Sequence, residues 1–270
     1  MDNVGLLDLQ VLPGKYKYSI DEYCNLYYNF CKNNSTLDEK TLGLIHRVGK
    51  SSGIKYKYTS VDLSSFVDIS LAQRNKIAKD ACWDLLLEIS TKMDLGGITH
   101  VVSSSSTLFG APAIDADVVS LLHLSPTIQR LSLHSMGCTG GGAALSLAMD
   151  LAKNSKEAKV LVVCADICTP YMFKKLPDVN DIISGVLFGD GIGLAIVGHG
   201  QSLLKLHQTY CYTPPNTLDA MNIAMVEDGL RAQLSRNIDT QIGGAICNLQ
   251  SQFALSPDRY LVHPGGKSIL

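Results

Sequence analysis

No apolar run in this chain reaches the ~18 residues that a membrane-crossing helix requires. The N-terminus lacks the basic-plus-apolar pattern of a secretion leader. Excess charge of either sign is also missing. Lys and Arg number 23 against 25 Asp and Glu, a formal net charge of −2, so the electrostatic footprint of a nucleic-acid binder is absent. None of the eight cysteines falls at CxxC spacing, which removes the usual zinc and dithiol-redox frameworks. We expect all eight to be reduced in a cytoplasmic protein with no metal site. No low-complexity linker divides the chain. What is present is ample apolar material, 46% of 270 residues with only 18% charged, enough for one large domain or two fused similar halves.

The most informative stretch is Leu131-Ser-Leu-His-Ser-Met-Gly-Cys-Thr-Gly-Gly-Gly142. The apolar run from Ile128 to Leu133 predicts a buried strand, and Ala143 to Ala152 has helical periodicity. Cys138 lies on the turn between them. That puts its sulfur at the positive end of a helix dipole, which favours thiolate. The glycines allow a ligand or another chain to come close to the backbone. Taken alone, the stretch fits a nucleophile on an elbow and also a packed structural thiol.

A second stretch is Arg259-Tyr-Leu-Val-His-Pro-Gly-Gly-Lys-Ser-Ile-Leu270. It predicts a short strand that stops at His263, because Pro264 bars helix for the residue before it. Two glycines then turn the chain, and a new element is expected from Lys267. A histidine at such a strand end is displayed. Cys and His distant in sequence but close in space are what a cysteine nucleophile needs.

These stretches, together with Val186-Leu-Phe-Gly-Asp-Gly191, Lys159-Val-Leu-Val-Val-Cys-Ala-Asp166 and the run Ser103 to Asp117, occur in an order that resembles the type III polyketide synthases. That is the chalcone synthase-like family of the thiolase superfamily. Phe-Gly-Asp-Gly combined with His-Pro-Gly-Gly is the specific part of the likeness, which spans nearly the whole chain.

The resemblance implies an α/β, thiolase-like layered αβαβα fold with mixed sheets and two related halves. The first would occupy residues 1–200 with the nucleophilic cysteine, and the second would start at 201–270 with the catalytic histidine. It implies an acyltransferase that loads an acyl-CoA starter on Cys138. Malonyl-CoA then extends the chain by decarboxylative Claisen condensation. Alternatives are a single-step 3-ketoacyl synthase-like enzyme or a truncated non-catalytic homologue. No separate cofactor is implied, only coenzyme A thioesters as substrates, and a homodimer is expected.

Residue by residue, the resemblance makes His263 the catalytic histidine and Phe188 a gate whose apolar ring favours loss of CO₂. Ser106, Cys168, Tyr171 and Ala224 would line the acyl pocket, and Ala111 would reach into the neighbouring subunit's site. Arg47 and Lys50 would meet the phosphates of coenzyme A, while Lys55 and Lys57 read better as a solvated basic face. Gly189-Asp-Gly191 lacks the spacing and lysine of a phosphate loop. The family's third catalytic residue, an asparagine, falls beyond Leu270, so the resemblance implies an incomplete second half.

The periodicities predict strands over 1–13, 99–104, 159–166, 190–197 and 202–212. Helices are predicted over 19–32, 35–48, 71–93, 115–122, 181–187, 226–237 and 239–253, that at 35–48 opened by Ser35-Thr-Leu-Asp-Glu. Strands alternating with helices make a layered α/β fold.

Overall fold

A computed structural model of the chain describes residues 4–64, 69–173, 177–235 and 237–266. In chain order the elements are β1 (Val4–Pro13), β2 (Tyr16–Ser19), α1 (Ile20–Asn34), α2 (Glu39–Ser52), β3 (Tyr56–Thr59) and α3 (Leu71–Ser90). Then follow β4 (His100–Ser105), α4 (Ile114–Leu121), β5 (Gln129–His134), α5 (Gly140–Asn154), β6 (Val160–Ile167) and α6 (Thr169–Met172). The last are α7 (Val179–Leu187), β7 (Asp190–His199), β8 (Leu204–Lys205), β9 (Met221–Val226), β10 (Gly229–Leu234) and α8 (Ile238–Gln252).

The chain forms two units that interleave in sequence. The first takes Met1–Lys17, Tyr58–Pro170 and Gly189–Gln208; the second takes Tyr18–Lys57, Tyr171–Phe188 and Thr209–Leu270.

The first unit is built on a six-stranded sheet in the order β5-β4-β6-β7-β1-β8. β4 pairs in parallel with β5 and β6, whereas β7 pairs antiparallel with β6 and β1, so the sheet is mixed. Val160 to Val163 are all buried, as in a strand covered on both faces. Alternation sorts them: Val102, Val160, Val162, Ala195 and Val197 pack with Ala144, Ala148, Met149 and Ala152 of α5. On the same strands, Ser104, Cys164 and Asp166 fall on this parity, so polar groups toward the strand ends share the face that carries α5.

In the second unit the aromatic rings of α1 pack on Phe173, just past α6. Phe173 lies 5.0 Å from both Tyr27 and Phe30 and meets Tyr23 edge-on at 6.4 Å. Three helices open on capping boxes, Ser19 with Glu22, Ser70 with Gln73 and Asp178 with Asp181.

Four sequence expectations are corrected. The helix expected over 226–237 is the β9–β10 hairpin, closed by the two-residue loop Glu227-Asp228 before Gly229. Leu230 and Leu234, four apart, share one face of a helix and equally of a strand, so the spacing misled where the Asp-Gly turn signal should have decided. The helix expected from residue 35 starts at Glu39, because Ser35 closes α1 and Asp38 supplies the N-cap. Of the strand expected over 202–212, only Leu204–Lys205 pairs. Residues 259–263 form no strand. Tyr260, Leu261 and Val262 are 58%, 95% and 45% exposed, and a segment that pairs with no strand among the described residues has nothing to hold it as one. The element expected from Lys267 lies outside the described residues.

Candidate functional site

Cys138 belongs to a three-residue 3-10 turn, Gly137–Thr139, between β5 and α5. The turn depends on two left-handed residues, Ser135 at φ 58° and Gly137 at φ 55°. A non-glycine residue in that region is uncommon and persists when its surroundings hold it there. Here the Ser135 N–H donates to Ser105 O at 3.2 Å, and the Gly137 N–H donates to Ser106 Oγ at 2.9 Å. The Thr139 hydroxyl closes the loop from inside on Met136 O at 2.7 Å. Of the three glycines after Thr139, Gly140 is the one that sterics require, since a Cβ there would collide with Ser104 Oγ. The close approach is therefore made by the protein's own sheet.

The cysteine is exposed on this pinned turn. Burial on its inner side pushes the thiol above its ordinary pKa, the Asp166 carboxylate adds to the rise, and the residue's own backbone N–H opposes it. The depression expected from the helix N-terminus is thus outweighed inside the first unit.

Asp166 was not singled out from the sequence, although an acid that ends the apolar run Val160 to Ala165 was a visible signal. Its Oδ1 accepts from the Ser106 N–H at 2.8 Å and from Thr107 Oγ1 at 3.2 Å. Burial raises its pKa and these hydrogen bonds pull it back. Asp166→Asn keeps an acceptor for both donors but removes the charge. We expect iodoacetamide to alkylate Cys138 roughly threefold faster in that variant at pH 7. An unchanged rate would remove Asp166 from the electrostatics of the thiol.

Cys168 is half-buried just past β6, and its flanks are fixed. Asp190 accepts from the Thr169 N–H at 2.8 Å and the Ser60 N–H at 2.6 Å, while the fully buried Arg74 donates to Pro170 O at 2.6 Å. Gly189-Asp-Gly191 is therefore a structural tie. Ser106, Cys138 and Cys168 thus come from adjoining loops of one unit, at the ends of β4, β5 and β6, and Ala111 is exposed ahead of α4.

The remaining expected residues belong to the second unit. Phe188 closes α7 in extended conformation, its N–H on Ser184 O at 2.8 Å. The Tyr171 ring is fully buried. Ala224 is exposed on β9 opposite Arg231. Arg47 and Lys50 stand exposed three residues apart on α2, on one face. His263 is exposed, and its carbonyl accepts from the Gly265 N–H at 2.8 Å, the turn that Pro264 and the glycines predicted. Lys57, expected on a solvated face, is instead buried at 2% exposure.

Among the described residues no helix is long and apolar enough to cross a membrane. Residues 22–201 match the family described as chalcone and stilbene synthases, N-terminal domain. Over 211 residues the chain is 31% identical to "Probable polyketide synthase 1" of Dictyostelium discoideum, an alignment that takes in 72% of this chain and 7% of that protein. The chain thus spans a small fraction of the length of this curated relative. The crystal structure of the C-terminal type III polyketide synthase domain of Steely1, a type I/III hybrid from Dictyostelium, superposes with a TM-score of 0.85 at 25% identity. That superposition covers 99% of this chain and 81% of the other. With its mixed sheet and thiolase-like fold, and with the family matched over most of its length, the chain belongs to the chalcone and stilbene synthase family.

Proposed function

We propose that this chain performs the acyl-transfer chemistry of a type III polyketide synthase. The Cys138 thiolate attacks the carbonyl of an acyl-CoA, and coenzyme A leaves as its thiolate. Malonyl-CoA then loses CO₂, and the resulting enolate attacks the acyl carbonyl and expels Cys138. The observation that carries the proposal is the exposed Cys138 on a turn pinned to Ser105 and Ser106 at the start of α5. A fixed, accessible nucleophile is what repeated acyl loading demands.

His263 is the catalytic histidine, which donates to the thioester oxygen during decarboxylation. Phe188 is the gate. Ser106, Cys168, Tyr171 and Ala224 shape the acyl pocket, Ala111 serves the neighbouring subunit of a homodimer, and Arg47 with Lys50 meets the phosphates of coenzyme A. Eight free thiols support a reducing, cytoplasmic setting.

The test is intact-protein mass after incubation with a panel of acyl-CoAs, then malonyl-CoA. The expected result is a covalent adduct on Cys138 that malonyl-CoA discharges as a polyketide. A stable adduct with no extension points to a one-step condensing enzyme. Absence of an adduct with every acyl-CoA overturns the proposal.

A further inference from the structure

The feature least expected from the sequence is the burial of Lys57. Its ammonium lies 2.6 Å from Val186 O and 3.2 Å from Gly185 O, and 4.7 Å from the centre of the Tyr23 ring. The Tyr23 hydroxyl also donates to Gly185 O. Both carbonyls belong to the last turn of α7, where intrahelical partners run out and the helix dipole is negative. Glycine in the left-handed region commonly closes such a helix, but Phe188 holds the closing position here, at φ −78° and ψ 135°. Lys57 and Tyr23 satisfy the carbonyls that a glycine motif would have served. The other end of α7 is held as well: Asp181 caps with Asp178 and accepts from Arg231 Nε and Nη2, each at 3.1 Å. With cations bound at both ends, the helix has little freedom to slide or turn. An ammonium is expensive to bury without partners, and an apolar side chain would fill the same space at lower cost. The charge is therefore matched to the carbonyls it meets.

We infer that Lys57 is a positioning residue: by clamping the last turn of α7 it sets where the chain leaves the helix, and so where the Phe188 ring stands. The inference rests on the reading of Phe188 as the gate beside malonyl-CoA. Its consequence is selective. Loss of the clamp leaves the Cys138 turn, which belongs to the other unit's sheet, as it is, while decarboxylation suffers.

The experiment uses the full-length protein and compares Lys57→Met, Lys57→Arg, Tyr23→Phe and Phe188→Ala with wild type. The measurements are the rate of acyl adduct formation on Cys138, CO₂ release from labelled malonyl-CoA, and hydrogen exchange of the amides at 185–188. Lys57→Met is expected to load within about twofold of wild type, to lose about tenfold in the kcat of decarboxylation, and to exchange the Phe188 amide faster. Lys57→Arg, which keeps donors for the carbonyls, is expected to recover most of that loss. Tyr23→Phe removes one donor and keeps the ring. It is expected to lose about threefold in decarboxylation at unchanged loading, and it serves as the test if Lys57→Met does not fold.

Wild-type decarboxylation in Lys57→Met or Tyr23→Phe, with Phe188→Ala impaired, overturns the role of Lys57 and leaves the gate standing. Loading and decarboxylation falling together in Lys57→Met and Tyr23→Phe alike makes Lys57 a general fold determinant and overturns the inference. Wild-type decarboxylation in Phe188→Ala removes the gate, and the inference with it.

Discussion

Cys138→Ala is expected to abolish the acyl-enzyme, with a loss of at least about 10⁴-fold in acyl transfer, because no other thiol can take the place of the nucleophile. Burial pushes Cys24 and Cys164 up to about 11 and Cys31 and Cys82 up to about 12, so these thiols stay protonated at neutral pH. Cys211 and Cys247 are exposed, but they lie on an irregular segment and on α8, away from any glycine-rich turn. Cys168 is half-buried, and the two residues after it are held by Asp190 and Arg74. The side chain of residue 138 is exposed, so alanine there should change stability by no more than about 0.5 kcal/mol. Peptide mapping after incubation with an acyl-CoA reads the result. An acyl group on any other cysteine, or an undiminished adduct in the variant, would reassign the nucleophile.

Gly185→Ala should destabilise the second unit, while the chemically identical change Gly43→Ala should stabilise it. A Cβ on Gly185 would sit 2.5 Å from Tyr27 Oη and 2.6 Å from its Cζ. Tyr27 cannot step aside: it is fully buried, its ring lies tilted 5.0 Å from Phe173, and its single hydroxyl hydrogen has Asp181 O at 3.3 Å and Met172 O at 3.4 Å as acceptors. Alanine gains about 1 kcal/mol over glycine inside a helix. Overpacking a rigid ring costs typically 1–3 kcal/mol, to which the strained hydroxyl contacts add. The net expectation is a loss of about 2 kcal/mol, or roughly 4–8 °C in Tm. At Gly43, in α2, nothing stands within 4 Å of the added methyl, so only the helix gain remains, about 0.5–1 kcal/mol of added stability. Thermal unfolding of the two variants decides it. A Gly185→Ala protein as stable as wild type would mean that the α1–α7 packing gives way far more readily than its contacts suggest.

Much of the architecture was legible before any coordinates. The strand, turn and helix around Cys138 fell within one to three residues of β5 and α5, although β5, expected to be buried, is an edge strand with no buried residue. β6 was equally plain as an unbroken apolar run. The β9–β10 hairpin was not, since a spacing of four serves both periods and the hairpin is decided by a turn of two residues. The strand expected before His263 followed from good local propensity, and propensity cannot supply a pairing partner.

The order of residues alone pointed to the side chains proposed for the chemistry: a cysteine after a forced turn, a histidine before a proline, and a phenylalanine ahead of Gly-Asp-Gly. The first two are local constraints, written into dihedral limits and hydrophobic period; the last rests on the family resemblance. The electrostatics and the mechanics arose from packing in three dimensions. It places Asp166 on the α5 face of the sheet, where its charge raises the Cys138 thiol, and it buries Lys57 against the end of a helix well over a hundred residues away in sequence. Solvation and Coulomb energy depend on distance through space, and the order of residues along a chain does not record that distance until the chain has folded.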